Sequence, residues 1–196
     1  MTIQVVSLAA DALMLLTAAA VLALTAAATA QAIRRRPRSA TLLASALAAL
    51  VALYVAALVG AGLVSRPQEL RAGDAKCFDD WCAAMVGAHR DAATGGWLVD
   101  VQVQNRARRQ AMRSSLGRAY LEVPGHGSVA PVDGHGLQAF LEPGERVDVQ
   151  LSFAAPPDAR DVRFVVVEGT GGLGPGLFEI GGEGSPFHAR AGWPLP

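Results

Sequence analysis

Two uncharged, predominantly apolar runs, residues 12–33 and 40–64, constrain this chain more than any other feature. A helix of about 20 residues crosses the ~30 Å hydrocarbon core of a bilayer, and both runs are long enough. A core helix of a soluble protein keeps a polar face, and neither run has one. The sequence therefore predicts two transmembrane helices. Over this first third the charged side chains are Asp11 and the cluster Arg34, Arg35, Arg36 and Arg38, whereas from Ser65 onward charges recur at the frequency of a soluble protein. The net charge of zero averages two unlike parts and leaves no basic face of the kind nucleic acid requires, so no nucleic-acid partner is expected. Abundant Ala and nearly Lys-free, Arg-rich usage, with Lys76 alone, fit a GC-rich bacterial genome.

The basic loop 34–39 gives the helices a direction. Short loops this rich in Arg stay cytoplasmic, which places both the N-terminus and everything after Val64 outside. The expected location is the bacterial inner membrane, with a multi-pass anchor and an extracytoplasmic C-terminal part. Asp11 then lies near the outer headgroups, where a carboxylate costs far less than at the midplane. Ala28-Thr29-Ala30 before Gln31 has the small-x-small form of a signal-peptidase site. However, no Lys or Arg occurs in Met1–Ala10, and the arginines follow the cut and oppose export. Small residues recur every fourth position in helix two (Ala44, Ala48, Ala52, Ala56, Gly60) and at Ala19, Ala23 and Ala27 in helix one. Such stripes let helices approach closely, within a hairpin or between copies in a homo-oligomer. With so short a cytoplasmic loop, a signal across the membrane needs a partner subunit.

Cys77 and Cys82, the only cysteines, follow helix two in Lys76-Cys-Phe-Asp-Asp-Trp-Cys82. An oxidising compartment favours their pairing as a structural disulfide. Closing so short a ring stabilises by about 2 kcal/mol on chain-entropy arithmetic. A redox-active pair favours a two-residue spacing at a helix start, and here Asp79 and Asp80 would raise a thiolate pKa rather than lower it. Two sulfurs alone make half a zinc site.

Beyond Trp81 the hydrophobic period becomes two. Trp97, Val99, Val101 and Val103 alternate with polar positions, as do Val147, Val149, Leu151 and Phe153. Residues 162–167 are apolar on both faces and predict a central strand. Weaker strands are expected at 82–89, 118–123, 137–141 and 177–180. Glu142-Pro143-Gly144-Glu145 fits a type II turn, and Gly95-Gly96, Gly125–Gly127 and Pro156-Pro157-Asp158 mark further breaks. About seven short strands at this spacing predict a two-sheet antiparallel sandwich. The organisation expected is a transmembrane hairpin over 1–65, a linker over 66–80, an all-β sandwich over 81–190 and a tail over 191–196.

Trp97–Asn105, Leu141-Glu-Pro-Gly-Glu145, Phe153-Ala-Ala-Pro-Pro-Asp-Ala159 and Arg163-Phe-Val-Val166 follow one another in order. This resembles the immunoglobulin-like, DUF4352-like domains of bacterial envelope proteins, with a strand ending in Asn, a Pro-Gly-Glu turn and a Pro-x-Asp-Ala turn before the last core strand. Cys77–Cys82 and Gly181–His188 also resemble parts of uncharacterised two-helix bacterial membrane proteins. The resemblance covers about residues 77–190, implies a fold with adhesion, interaction or unknown roles, and transfers no active site.

Candidate chemistry is sparse. His126 and His135, each between glycines, could approach across a hairpin and bind a transition metal with Asp133. Turn decoration is the simpler reading. A cupredoxin needs a late Cys, His and Met cluster, but Met112 is the last methionine and no cysteine follows Cys82. Ser128 lies near His126 and Asp133 without a nucleophile elbow. Arg106, Arg108, Arg109 and Arg113 could meet anionic headgroups, although that attraction belongs chiefly to the cytoplasmic leaflet. The glycines of 169–184 lack the Lys-Ser or Lys-Thr of a phosphate loop. No cofactor or catalytic residue is expected. The lipid bilayer and a protein of the membrane or envelope are the expected partners. The function expected is a non-enzymatic interaction, assembly or accessory module, the alternative being metal binding by His126 and His135 or thiol redox chemistry at Cys77 and Cys82.

Overall fold

The computed structural model describes residues 2–4, 8–114, 117–168, 175–178, 180–181, 183–185 and 187–196. The chain forms two compact units, one of residues 6–66 with 175–189, the other of 1–5, 67–174 and 190–196.

The first unit is built on a helical hairpin, α1 (Leu8–Ile33) and α2 (Pro37–Val64). Both helices are long and apolar enough to cross a membrane. The connection is tighter than the expected 34–39 loop. Arg35 turns the chain with φ 53°, and Pro37 opens α2, where its fixed φ suits the first helical turn and its missing N–H is not needed. Among the less exposed positions are Met14, Thr17, Val21, Leu24, Ala28 and Gln31 on α1, and Leu43, Leu47, Leu50 and Tyr54 on α2. Their alternating spacing of three and four residues is that of a coiled-coil seam. The small-residue stripe is elsewhere: Ala19, Ala23, Ala44, Ala48, Ala52 and Ala56 are all exposed, and only Ala27 and Gly60 are half-buried. The positions turned away from solvent mix large and small residues, and most of the alanine stripe is not among them. Thr17, Thr25, Thr29 and Thr41 donate their hydroxyls to carbonyls one turn back, which satisfies them without water.

The second unit is an all-β sandwich. One sheet runs β1 (Thr2–Gln4), β2 (Ala75–Phe78), β3 (Trp81–Arg90), β4 (Trp97–Asn105), β9 (Arg146–Phe153). The other runs β11 (Trp193–Pro194), β10 (Arg163–Glu168), β6 (Gly117–Val123), β7 (Gly127–Val129). A two-stranded ribbon joins β5 (Met112–Arg113) to β8 (Phe140–Leu141). All named pairings are antiparallel except β1 with β2. The chain passes between sheets after β4, returns for β9 and crosses again to β10, so two sheets face each other over one core as the immunoglobulin-like expectation requires.

The alternating strands behave as their sequences demand. In β4 the residues Trp97, Val99, Val101, Val103 and Asn105 are buried and those between them half-exposed. Leu151 and Phe153 of β9 join them, and Leu121, Phe164 and Trp193 close the core from the other sheet. Phe164 meets Phe153 edge-on at 6.0 Å and Trp193 at 5.6 Å between ring centroids. The predicted type II turn is present, with Gly144 at φ 80° and the Glu145 N–H donating to the Glu142 carbonyl.

Several boundaries differ from expectation. The stretch 66–80 is no linker: Leu70 is buried, Glu69 bridges to Gly192, and β2 pairs in register with β3. Cys77 and Cys82 consequently lie on two paired strands rather than ahead of the first. The last six residues are no loose tail, because Trp193 pairs with Phe164 and is fully buried. Residues 137–141 divide into a 3-10 turn (His135–Gln138) and β8. The strand expected at 177–180 is instead a 3-10 turn over Pro175–Phe178, with residue 179 outside the described residues. Residues 169–174 of the expected glycine-rich connection also lie outside them. In each case a short apolar string had no periodicity long enough to reveal its tertiary partner.

Candidate functional site

Cys77 and Cys82 are directly opposed across the β2–β3 hairpin, 4.0 Å apart at Cα, and form a disulfide. Asp79 and Asp80 make its turn, Asp79 with φ 53°, a conformation that aspartate tolerates better than most residues. Both cysteines are buried. Thiol–disulfide exchange needs in-line access of an attacking thiolate to sulfur, which burial denies. The bond therefore acts as a staple. Replacing both cysteines by serine is expected to lower the unfolding free energy by about 2 kcal/mol, read from urea unfolding of the full chain in mild detergent. An unchanged midpoint would deny the staple a role.

Around the staple sit two polar residues that the sequence concealed. Lys76 is fully buried, and its ammonium donates to the Val166 carbonyl at 2.8 Å and the Ala191 carbonyl at 3.2 Å, beside the Phe78 ring. It thus joins β2 of one sheet to β10 of the other and to the residues before β11. Its signal in the sequence was its isolation as the sole lysine. Asn105, also fully buried, ends β4. Its side-chain amide donates to the Gln110 and Leu141 carbonyls at 2.9 and 3.1 Å and accepts the Ala107 N–H at 2.9 Å. Its backbone takes the Gly144 N–H and donates to the Glu145 carbonyl. The side chain therefore ties the 106–110 turn to β8, and the backbone of the same residue holds the Pro143-Gly144 turn.

The histidine set does not converge. His126 lies exposed in the β6–β7 turn with Nδ1 3.3 Å from the Pro124 carbonyl oxygen. Asp133 accepts the His135 N–H at 3.0 Å and so shapes the entry to the 3-10 turn. Among the described residues no group of three or more His, Cys, Asp or Glu side chains could hold a metal ion. Ser128 lies in β7 opposite Glu122 and is exposed. Of the arginine group, Arg106 approaches Cys77 Sγ at 3.8 Å and Arg113 donates to the Gln138 carbonyl at 2.7 Å, while Arg108 and Arg109 are exposed.

Two shallow grooves open on the β domain. One is lined by Asp91, Thr94, Trp97, Leu98, Val132 and Ser152 among others, and the second by Glu69, Arg160, Asp161, Arg163 and the C-terminal Pro194–Pro196. The first has Asp91 as its only ionisable lining group. The Thr94 hydroxyl, donating at 2.6 Å, and the Ala93 N–H hold the Asp91 carboxyl below the usual carboxylate range. A carboxylate so tied serves the 91–95 turn. Because its folded pKa is depressed, its contribution to stability is present above the unfolded pKa and lost as pH falls through the folded one. Thr94→Val is expected to move the Asp91 titration upward in a carboxyl-detected NMR series, and an unmoved titration would contradict the assignment.

No protein-family model, curated protein or solved structure matches the chain.

Proposed function

We propose that this protein is a two-pass inner-membrane anchor for an extracytoplasmic, DUF4352-like β-sandwich that serves the bacterial envelope as a non-enzymatic interaction, assembly or accessory module. The observation that carries the reading is the pairing of β1 with β2. These strands precede α1 and follow α2, so the residues flanking the hairpin are sheet neighbours and belong on one side of a membrane. The arginine connection Arg34–Arg36 then belongs on the other, where the positive-inside rule puts it. A buried disulfide suits the oxidising side.

A recognition role draws support from what the domain exposes. Val132 and Phe140 flank the 3-10 turn with 74% and 63% of their surface accessible. They mark positions at which a protein partner is sought. The exposed alanine stripe of the hairpin leaves a second copy of the chain as a further partner. A photo-crosslinking amino acid at position 140 is expected to trap one discrete envelope protein in intact cells, and the same group at exposed Arg118 is not. Equal or absent capture at both positions would remove the recognition role.

A further inference from the structure

Residues 175–189 belong to the same compact unit as the two helices, although about 110 residues of β domain separate them in sequence from α2. Two contacts fix them there. Tyr54 of α2 donates its hydroxyl to the Phe178 carbonyl. Ser65, at the end of α2, accepts the Ala189 N–H at 2.7 Å on its own hydroxyl. Eleven residues of helix make close to three full turns, so Tyr54 and Ser65 lie on one face. Leu58 and Gly62, on the same face between them, are the buried residues of α2.

The depth of Tyr54 gives these contacts a meaning. From Ala40, the first residue past the basic connection, Tyr54 stands about 21 Å along the helix, and from Val64 it stands about 15 Å back. With a hydrocarbon core of about 30 Å, Tyr54 lies about 9–15 Å beneath the outer boundary whichever end sets the register. We propose that the described residues between 175 and 189 belong to a re-entrant segment, which enters the outer half of the bilayer along α2 and presents Phe178 and Phe187 to lipid acyl chains. The inference rests on the transmembrane reading of the hairpin.

The side chains suit that setting. Phe178 and Phe187 expose 51% and 70% of their surface, a cost in water and none in lipid. Leu177 and Ile180 are half-buried. Non-helical backbone at membrane depth must find polar partners, and the Tyr54 and Ser65 hydroxyls supply two. Ser185 accepts the His188 N–H within the segment. Phe187, close to the Ser65 end, lies shallow, and Phe178, beside Tyr54, lies deep.

Depth-dependent quenching tests this in the full chain reconstituted into phosphatidylcholine vesicles. Single cysteines replace Phe178, Phe187, Leu53 or Phe140, each carrying an environment-sensitive fluorophore, with nitroxides placed shallow or deep on the acyl chains. Leu53, exposed on α2 beside Tyr54, reports the hairpin, and Phe140 reports the β domain. Position 178 is expected to show the same deep-to-shallow quenching ratio as position 53, position 187 a shallower ratio, and position 140 no quenching. Tyr54→Phe is expected to shift position 178 toward the shallow label. Quenching at 53 without quenching at 178 and 187 would overturn the re-entrant segment and leave the membrane hairpin standing. Loss of quenching at 53 would overturn both.

Discussion

Asn105→Ala is expected to lower the unfolding free energy of the β domain by about 3 kcal/mol. The substitution removes three hydrogen bonds made by one fully buried side chain and strands the Gln110 and Leu141 carbonyls and the Ala107 N–H. A buried polar group left without its partner costs about 1–3 kcal/mol, whereas a satisfied bond contributes about 1 kcal/mol net, so the loss exceeds that of an exposed bond several-fold. The effect should reach beyond β4. The 106–110 turn and β8 meet on this amide, and their backbone N–H groups are expected to exchange faster with deuterium than those of β3. Asn105→Asp keeps the acceptor for Ala107 but not the two donors, and it buries a charge, so it is expected to be as damaging or more so. A midpoint in urea within experimental error of the parent would refute the role assigned to Asn105.

Trp193→Ala is expected to cost about 4 kcal/mol, in the range of large aromatic truncations in cores. Trp193 is fully buried, pairs with Phe164 through β11 and packs on its ring. The neighbouring Gly192 passes so close to the Phe164 carbonyl that an added Cβ would lie 2.7 Å from it, so the strand reaches its place only with glycine there. Shortening the chain before Ala191 should therefore unfold the sandwich rather than trim it, because Lys76 would lose the Ala191 carbonyl in the same step. Near-ultraviolet circular dichroism of the full chain in mild detergent, with Trp81 and Trp97 as reporters, measures both variants. A shortened protein with parental signal and midpoint would return residues 191–196 to the status of a tail.

The features legible in the sequence were those written in local repetition. Two long apolar runs define helices whatever follows them, and the alternation of β4 and β9 needs no tertiary knowledge to read. The Pro143-Gly144 turn was legible because a positive φ at the third position leaves few residues to choose from. What escaped was set by distant partners. Strands β2 and β11 have four and two residues, too few for a period, and owe their place to β3 and β10. Lys76 reads as a surface residue until its two carbonyl acceptors, 90 and 115 positions away, are known. The packed face of the helices is hard to read for a related reason: alanine is so frequent in both that its spacing does not single out one face. The histidines and Asp133 were near in sequence, but each is used by its own turn. Tyr54 passed unremarked, since a single tyrosine in a transmembrane helix gains significance only from the segment it holds.

The two-pass anchor with the β domain outside is tested most directly by cysteine accessibility in intact cells. The native cysteines are buried in their disulfide and contribute little background. Val132→Cys places a thiol on the exposed part of the β domain, and Ser39→Cys places one in the exposed first turn of α2 beside the arginines. A membrane-impermeant maleimide that crosses the outer membrane is expected to label position 132 in intact cells and position 39 only after lysis. Labelling of position 39 in intact cells, with position 132 protected until lysis, would contradict the orientation. Labelling of both before lysis would contradict the membrane hairpin itself.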